Sequence, residues 1–169
     1  MTDPYVGPAR FGGRGLFSGR AYHRGETVCA FRFFKQVDSL ADLEGEPDAS
    51  REHCTLVDGR FHLVDSPERF LNHSCRPNVF ERFDEDGACL VALEEIATGE
   101  ELTTDYLINN EGGESWSCSC GADRCRGETG VSLFTLPVAF RREYAPLLAP
   151  WFVRRNRERL RGLEGVPTE

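Results

Sequence analysis

The sequence predicts a mostly β (α+β) domain of short strands and hairpins, followed by an irregular cysteine-rich segment and C-terminal helices. Three observations predict it. Strand-sized runs rich in β-branched and aromatic residues recur over the first hundred residues, with turn residues between them. Residues 109–130 are rich in Gly, Ser and Cys and poor in core-forming side chains. From Pro137 onward the apolar spacing turns helical.

The elements follow in chain order. "GGRGLFSGR" is a glycine-rich entry, and "GETVCAFRFF", residues 25–34, reads as a strand. Asp38 to Glu52 is an acidic stretch in which Gly45 and Pro47 limit any helix to a short one. "CTLVDGRFHLV", residues 54–64, places Asp58-Gly59 between two β-prone runs. A type I′ turn needs positive φ at both central positions, so this is a hairpin signal. "NVFERFDEDGACLVAL", residues 78–93, predicts a second hairpin with a longer turn ending at Gly87. "GEELTTDY", residues 99–106, closes the β-rich part. Pro146 and Pro150 forbid one continuous helix, which predicts two, over 137–144 and 150–161, the second with Pro150 in its first turn. Trp151, Phe152, Val153 and Leu160 are expected to dock the second helix.

The chain has 169 residues and 40% apolar content, enough for one domain with a core. No run approaches the ~18 apolar residues of a membrane span. Met1-Thr2-Asp3-Pro4 lacks a charged-then-apolar signal, so the expected compartment is the cytosol, or the nucleus in a eukaryotic source. A net charge of −8 argues against whole-surface nucleic-acid binding and suits a basic partner. Residues 150–161 are the exception, with five arginines against Glu158. They are a weak candidate for touching nucleic acid, a solvated helix face being the commoner use of such a run.

"RFLNHSC", residues 69–75, packs five polar or reactive side chains around a Phe-Leu pair, more chemistry than a plain strand needs. Seven cysteines, an odd number, argue against a disulfide framework. "CSCGADRC" places Cys118, Cys120 and Cys125 as C-x-C-x4-C. Tetrahedral zinc needs four ligands, so a fourth must come from elsewhere, and Cys75 is a candidate. The alternative is ordinary thiols in a loop. Gly13-Arg14-Gly15 is either a simple turn or a backbone that approaches a ligand closely. Tyr106 either fills the core or presents its hydroxyl to a pocket.

Taken together, "GRGLFS", "RFLNHSCRPN", "EELTTDY" and "CSCGADRCRG" resemble, in order and spacing, the SET-domain protein lysine methyltransferases that carry a post-SET zinc segment. The resemblance runs from about residue 10 to about residue 128. It implies a SET-type β-clip fold of short sheets with a pseudoknot, divided as a SET catalytic domain (1–108), a post-SET zinc segment (109–130) and a C-terminal helical extension (131–169). It implies S-adenosylmethionine as cofactor, with the backbone of Gly13, Arg14 and Gly15 against it. Asn72 would accept from its α-amino group, the main chain around His73 would meet adenine, and Arg69 would meet the carboxylate. Trp116 would cover the adenine or the substrate channel. Cys75 would join Cys118, Cys120 and Cys125 on one structural zinc, and Tyr106 would be the catalytic residue lining a lysine channel.

The implied partner is a protein or peptide lysine. The acidic residues Asp38, Asp42, Glu44, Glu46, Asp48 and Glu52 would favour a basic one, unless they form a solvated loop. Thr104 departs from the Phe or Tyr that many relatives carry two residues before the tyrosine, which leaves the number of methyls open. A catalytically silent SET-fold binding module and a methyltransferase for a small-molecule amine are the alternatives.

Overall fold

Asp58 and Gly59 take φ of 49° and 80°, as the type I′ turn requires. They join β5 (Cys54–Val57) to β6 (Arg60–Val64) with Val57 opposite Arg60. The second expected hairpin is also present, β8 (Val79–Asp84) and β9 (Gly87–Ala92), antiparallel throughout. The computed structural model describes residues 4–43, 53–85 and 87–167.

Three small sheets result. β1 (Tyr5–Pro8), β2 (Arg14–Phe17), β10 (Glu101–Thr104) and β7 (Asn72–His73) form one, in the order β1-β2-β10-β7. β3 (Thr27–Ala30) joins β9 and β8, and β4 (Phe33–Val37) joins β6 and β5. The single strand expected over 25–34 is thus two strands in different sheets. Phe31 is buried and meets Phe33 edge-on, with ring centroids 5.4 Å apart. The crossing residues bond to both sides: the Phe31 amide donates to the Ala88 carbonyl, and the Asp65 amide donates to the Arg32 carbonyl.

β7 runs parallel to β10, with Asn72 opposite Thr103 and His73 opposite Thr104. Asn78 ties the returning chain to the same strand. Its main-chain N–H donates to the Thr103 carbonyl, its Nδ2 to the Glu101 carbonyl at 2.8 Å, and its Oδ1 accepts from the Thr103 amide at 2.8 Å. The 69–78 segment is thereby held against β10, in keeping with the threaded arrangement that the resemblance implies.

One core cluster lies among the sheets, around Leu16, Leu71, Leu90 and Leu102. A second joins Leu107 and Ile108 to Leu133, Leu136, Tyr144 and Phe152, with Phe80 and Phe83 of β8 packed on it. α1 (Val138–Tyr144) begins just after Pro137, and α2 (Pro150–Arg155) has Pro150 in its first turn. Trp151, Phe152, Val153 and Leu160 are buried as expected. α2 nevertheless ends at Arg155, short of residue 161. Asn156 leaves helical geometry (φ −114°, ψ 20°), and its amide donates to both the Phe152 carbonyl and Glu111, competing with the next helical turn. Among the described residues no helix is long and apolar enough to cross a membrane.

Of the acidic stretch, Asp42 accepts from the Ser39 amide at the short 3₁₀ turn Leu40–Leu43. Glu44, Glu46, Asp48 and Glu52 lie outside the described residues.

Candidate active site

Pairing of β2 with β10 sets the glycine loop beside Asn72. Gly15 has no room for a side chain: a Cβ there would run into the Glu101 carboxylate and lie 3.2 Å from Asn72 Nδ2. Asn72 Nδ2 donates to Glu101 Oε1 at 2.8 Å and to the Arg14 carbonyl at 3.0 Å. Both amide protons are thus used. Its Oδ1 accepts from no group among the described residues and remains free to accept. Gly13 holds φ at +75° with open space around its Cα, a left-handed conformation that favours glycine. Arg14 and Arg69 both place guanidinium groups over the Phe70 ring, at 4.2 and 5.4 Å. Arg69 Nε is buried and has no hydrogen-bond partner among the described residues.

The Ser74 amide bonds to the Thr104 carbonyl at 2.8 Å. The N–H and C=O of His73, one residue earlier on an edge strand, therefore face away from Thr104. The His73 ring turns inward. Its Nδ1 accepts from the Tyr106 amide at 3.3 Å, and its Nε2 lies 3.5 Å from Cys75 Sγ. Burial pushes its pKa down and favours the neutral ring, against the opposing pull of the Asp105 charge.

Tyr106 follows β10 with its hydroxyl donating to the Leu71 carbonyl at 2.8 Å. Its ring stands between His73, 5.3 Å away, and Trp116, 6.1 Å away. Tyr106 and Trp116 are 38% and 47% exposed, so this aromatic wall opens to solvent. Thr104, buried two residues earlier, donates its hydroxyl to Glu81 at 3.2 Å. Burial, reinforced by the nearby Asp105 charge, pushes the Glu81 carboxyl up to about 7.

The sulfurs of Cys75, Cys118, Cys120 and Cys125 all lie within 4.8 Å of one another. Zn–S bonds of about 2.3 Å put tetrahedral sulfurs about 3.8 Å apart, and Cys75 and Cys118 stand at 3.7 Å. Burial raises the Cys75 and Cys118 thiols. At Cys120 burial is outweighed by N–H groups of Cys75 and Ala122, and its pKa falls to about 6. The donor set fits a closed structural zinc site: four thiols and no open position.

Residues beyond the sequence expectations lock this arrangement. Asp105, fully buried, accepts from Arg126 through two bonds, at 2.6 and 3.1 Å, and from the Tyr144 hydroxyl at 2.8 Å. Burial and the Asp105 charge push the Tyr144 hydroxyl far up, so it stays a donor. Arg124 donates to the Cys75 carbonyl and forks onto Glu143 of α1 with two 2.7 Å bonds. Asp105 and Arg126 both lie inside the quoted motifs and were legible as polar residues of those motifs. Tyr144 gives no local signal, because its partner is 39 residues away.

The family model described as SET domain matches residues 13–107. This chain belongs to the SET-domain family. Over 126 residues it is 36% identical to human "Histone-lysine N-methyltransferase 2B", covering 68% of this chain and 5% of that protein. It is 39% identical over 107 residues to the Fusarium mangiferae "Histone-lysine N-methyltransferase, H3 lysine-9 specific KMT1", covering 53% of this chain and 30% of that protein. The Neurospora crassa H3 lysine-9 specific dim-5 is 36% identical over 114 residues, covering 56% and 32%. The chain therefore spans less than a third of the length of each of these relatives. The solved structure of KRYPTONITE in complex with mCHG DNA and SAH shares the fold at TM-score 0.58 and 24% identity, covering 77% of this chain and 29% of that one.

Proposed function

We propose that this chain is an S-adenosylmethionine-dependent protein-lysine N-methyltransferase with one structural zinc. The observation that carries the reading is the junction at β7 (Asn72–His73). One short edge strand joins an asparagine with a free acceptor oxygen, the main chain beneath Tyr106, and the first cysteine of a four-thiol cluster. The named activities of the relatives agree with it.

The residues fit the cofactor. Asn72 Oδ1 is the acceptor for an ammonium group, and the outward main chain of His73 offers a donor and an acceptor to an adenine edge. The unpartnered Arg69 Nε belongs to a guanidinium fork of the shape that recognises a carboxylate. The side-chain-free face of Gly15 lets the β2 backbone approach closely. When bound, S-adenosylmethionine supplies a methyl group on a sulfonium sulfur, released to a nucleophile by one in-line displacement.

The chain's own work is on the amine. Free lysine has a pKa of about 10.4, and only its neutral form has a lone pair to attack with. A cationic sulfonium beside the Tyr106–Trp116 wall would disfavour the ammonium, and the solvent-open side of the wall lets its proton leave to water before attack. Held in line by the chain, the amine lone pair would form the new N–C bond, and the S–C electron pair would stay on sulfur. Tyr106, its hydroxyl anchored by donation to the Leu71 carbonyl, is held in place to line the approach of the amine. A zinc held by Cys75, Cys118, Cys120 and Cys125 would tie the 109–130 segment to the chain beside His73 and would supply no chemistry to the transfer. Residues 1–108, 109–130 and 131–169 serve as catalytic domain, zinc segment and helical extension. The substrate is a lysine on a protein of net basic character, which the −8 chain attracts, in the nucleus if the source is eukaryotic.

Labelled methyl transfer into proteins of a cell lysate tests the reading, with wild type beside Tyr106→Phe. We expect a labelled protein band with wild type and about a hundredfold less with the variant. Label appearing only in small molecules, or equal labelling by both, would reject it.

A further inference from the structure

Outside the residues that match the SET domain, the C-terminal extension contains a cavity of about 150 Å3 lined by four arginines: Arg141, Arg142, Arg159 and Arg161. No aspartate or glutamate lines it. Apolar surface from Phe134 and Val138 completes the wall. In a chain of net charge −8, such a concentration of one sign is not a sample of the average surface.

Three arginines of the 150–161 run are tied to carboxylates. Arg155 forks onto Glu111 at 2.9 and 3.2 Å, and Arg154 stands 3.8 Å from Asp58, so these two fasten α2 to the domain. Arg161 pairs with Glu158 at 2.8 Å. Arg141, Arg142 and Arg159 are different: among the described residues none of them has a carboxylate at ion-pair distance. Arg141 Nε is buried without a hydrogen-bond partner among these residues. Arg159 is stacked 3.5 Å over the Phe134 ring, which holds its fork in place over an apolar floor. Glu111 is near enough to Arg159 to feel its charge, but among the described residues no carboxylate lines the cavity itself. Guanidinium groups gathered at one small cavity repel one another, and an anion between them relieves that cost.

We propose that this cavity binds the phosphate or pyrophosphate group of a small molecule. Guanidinium forks match the planar, two-oxygen faces of phosphate and hold it by paired, charge-assisted bonds. A compact ligand fits better than a nucleic-acid strand. The cavity is a single concave site, and the arginines that would have to extend it into a track, Arg154 and Arg155, are already paired to Asp58 and Glu111.

Calorimetric titration of the full chain with pyrophosphate tests the site, alongside Arg141→Gln, Arg142→Gln and a short DNA duplex. Arg142 is exposed, so its replacement leaves the fold intact, as thermal melting will verify. We expect saturable one-to-one binding of pyrophosphate by wild type and a loss of at least about tenfold in each variant, the scale of one charge-assisted bond. Absence of saturable binding by wild type overturns the proposal, as does unchanged affinity in Arg142→Gln. A duplex that binds more tightly than pyrophosphate and weakens in the same variants would replace the compact ligand with nucleic acid.

Discussion

At the scale of single residues, the site depends on side chains whose alternatives are physically closed. Gly15 is fixed by the Glu101 carboxylate and Asn72 amide where its Cβ would stand, and Asn72 spends both amide protons inside the protein, leaving only an acceptor outward. Glu81 is a carboxylate held at an electrostatic cost. Its carboxyl, bonded only weakly by Thr104, titrates near 7 in the folded chain against an ordinary 4.5. Below about pH 4.5 it is protonated in both states and contributes nothing. From there to about 7 the unfolded chain ionises while the folded chain keeps its proton, so stability falls as pH rises, and above 7 the full penalty remains. Glu81→Gln removes that penalty. Chemical denaturation should find the variant more stable than wild type by up to about 3 kcal/mol at about pH 8, with no difference at about pH 4. A variant that is less stable at the higher pH would show that Glu81 is paired there.

At the scale of elements, three segments distant in sequence meet at the end of β10, and the Asp105–Arg126–Tyr144 group is the joint. Removing Arg126 strands a buried carboxylate. Arg126→Ala should therefore cost about 3–5 kcal/mol, and Tyr144→Phe, which loses one bond to a charged group, about 1.5–3. Equal, sub-kilocalorie effects would show the joint to be incidental. The cysteine cluster makes a matching prediction. The purified protein should carry one zinc per chain by elemental analysis, and Cys118→Ser or a strong chelator should lower its melting temperature and abolish cofactor binding together. A folded, cofactor-binding protein without zinc would contradict the assignment. Much of this was legible in the sequence because the motifs are local: Asp58-Gly59 specifies its own turn, and C-x-C-x4-C brings three sulfurs near one point. The splitting of residues 25–34 between two sheets and the early stop of α2 were not legible. Each is decided by a long-range partner, the Ala88 carbonyl and Asp65 amide in one case and Glu111 in the other.

At the scale of the molecule, small sheets with modest cores are closed around a threaded segment, and the C-terminal helices supply the second core instead of hanging from the first. The sequence showed helices there, but not that Phe80 and Phe83 of β8 would be their floor, since both sit in a run that reads equally well as a hairpin with one face in solvent. The charge distribution has the same logic. Residues 1–149 carry the acidic excess, while residues 150–161 hold five arginines against one glutamate. The central claim is that the Tyr106 wall delivers a methyl group to a lysine amine. Tandem mass spectrometry of the proteins labelled in a lysate tests it most directly. The account predicts new methyl groups on lysine Nζ with wild type and their near absence with Tyr106→Phe. Methyl groups on another residue type, or on lysine in equal amount with both proteins, would contradict it.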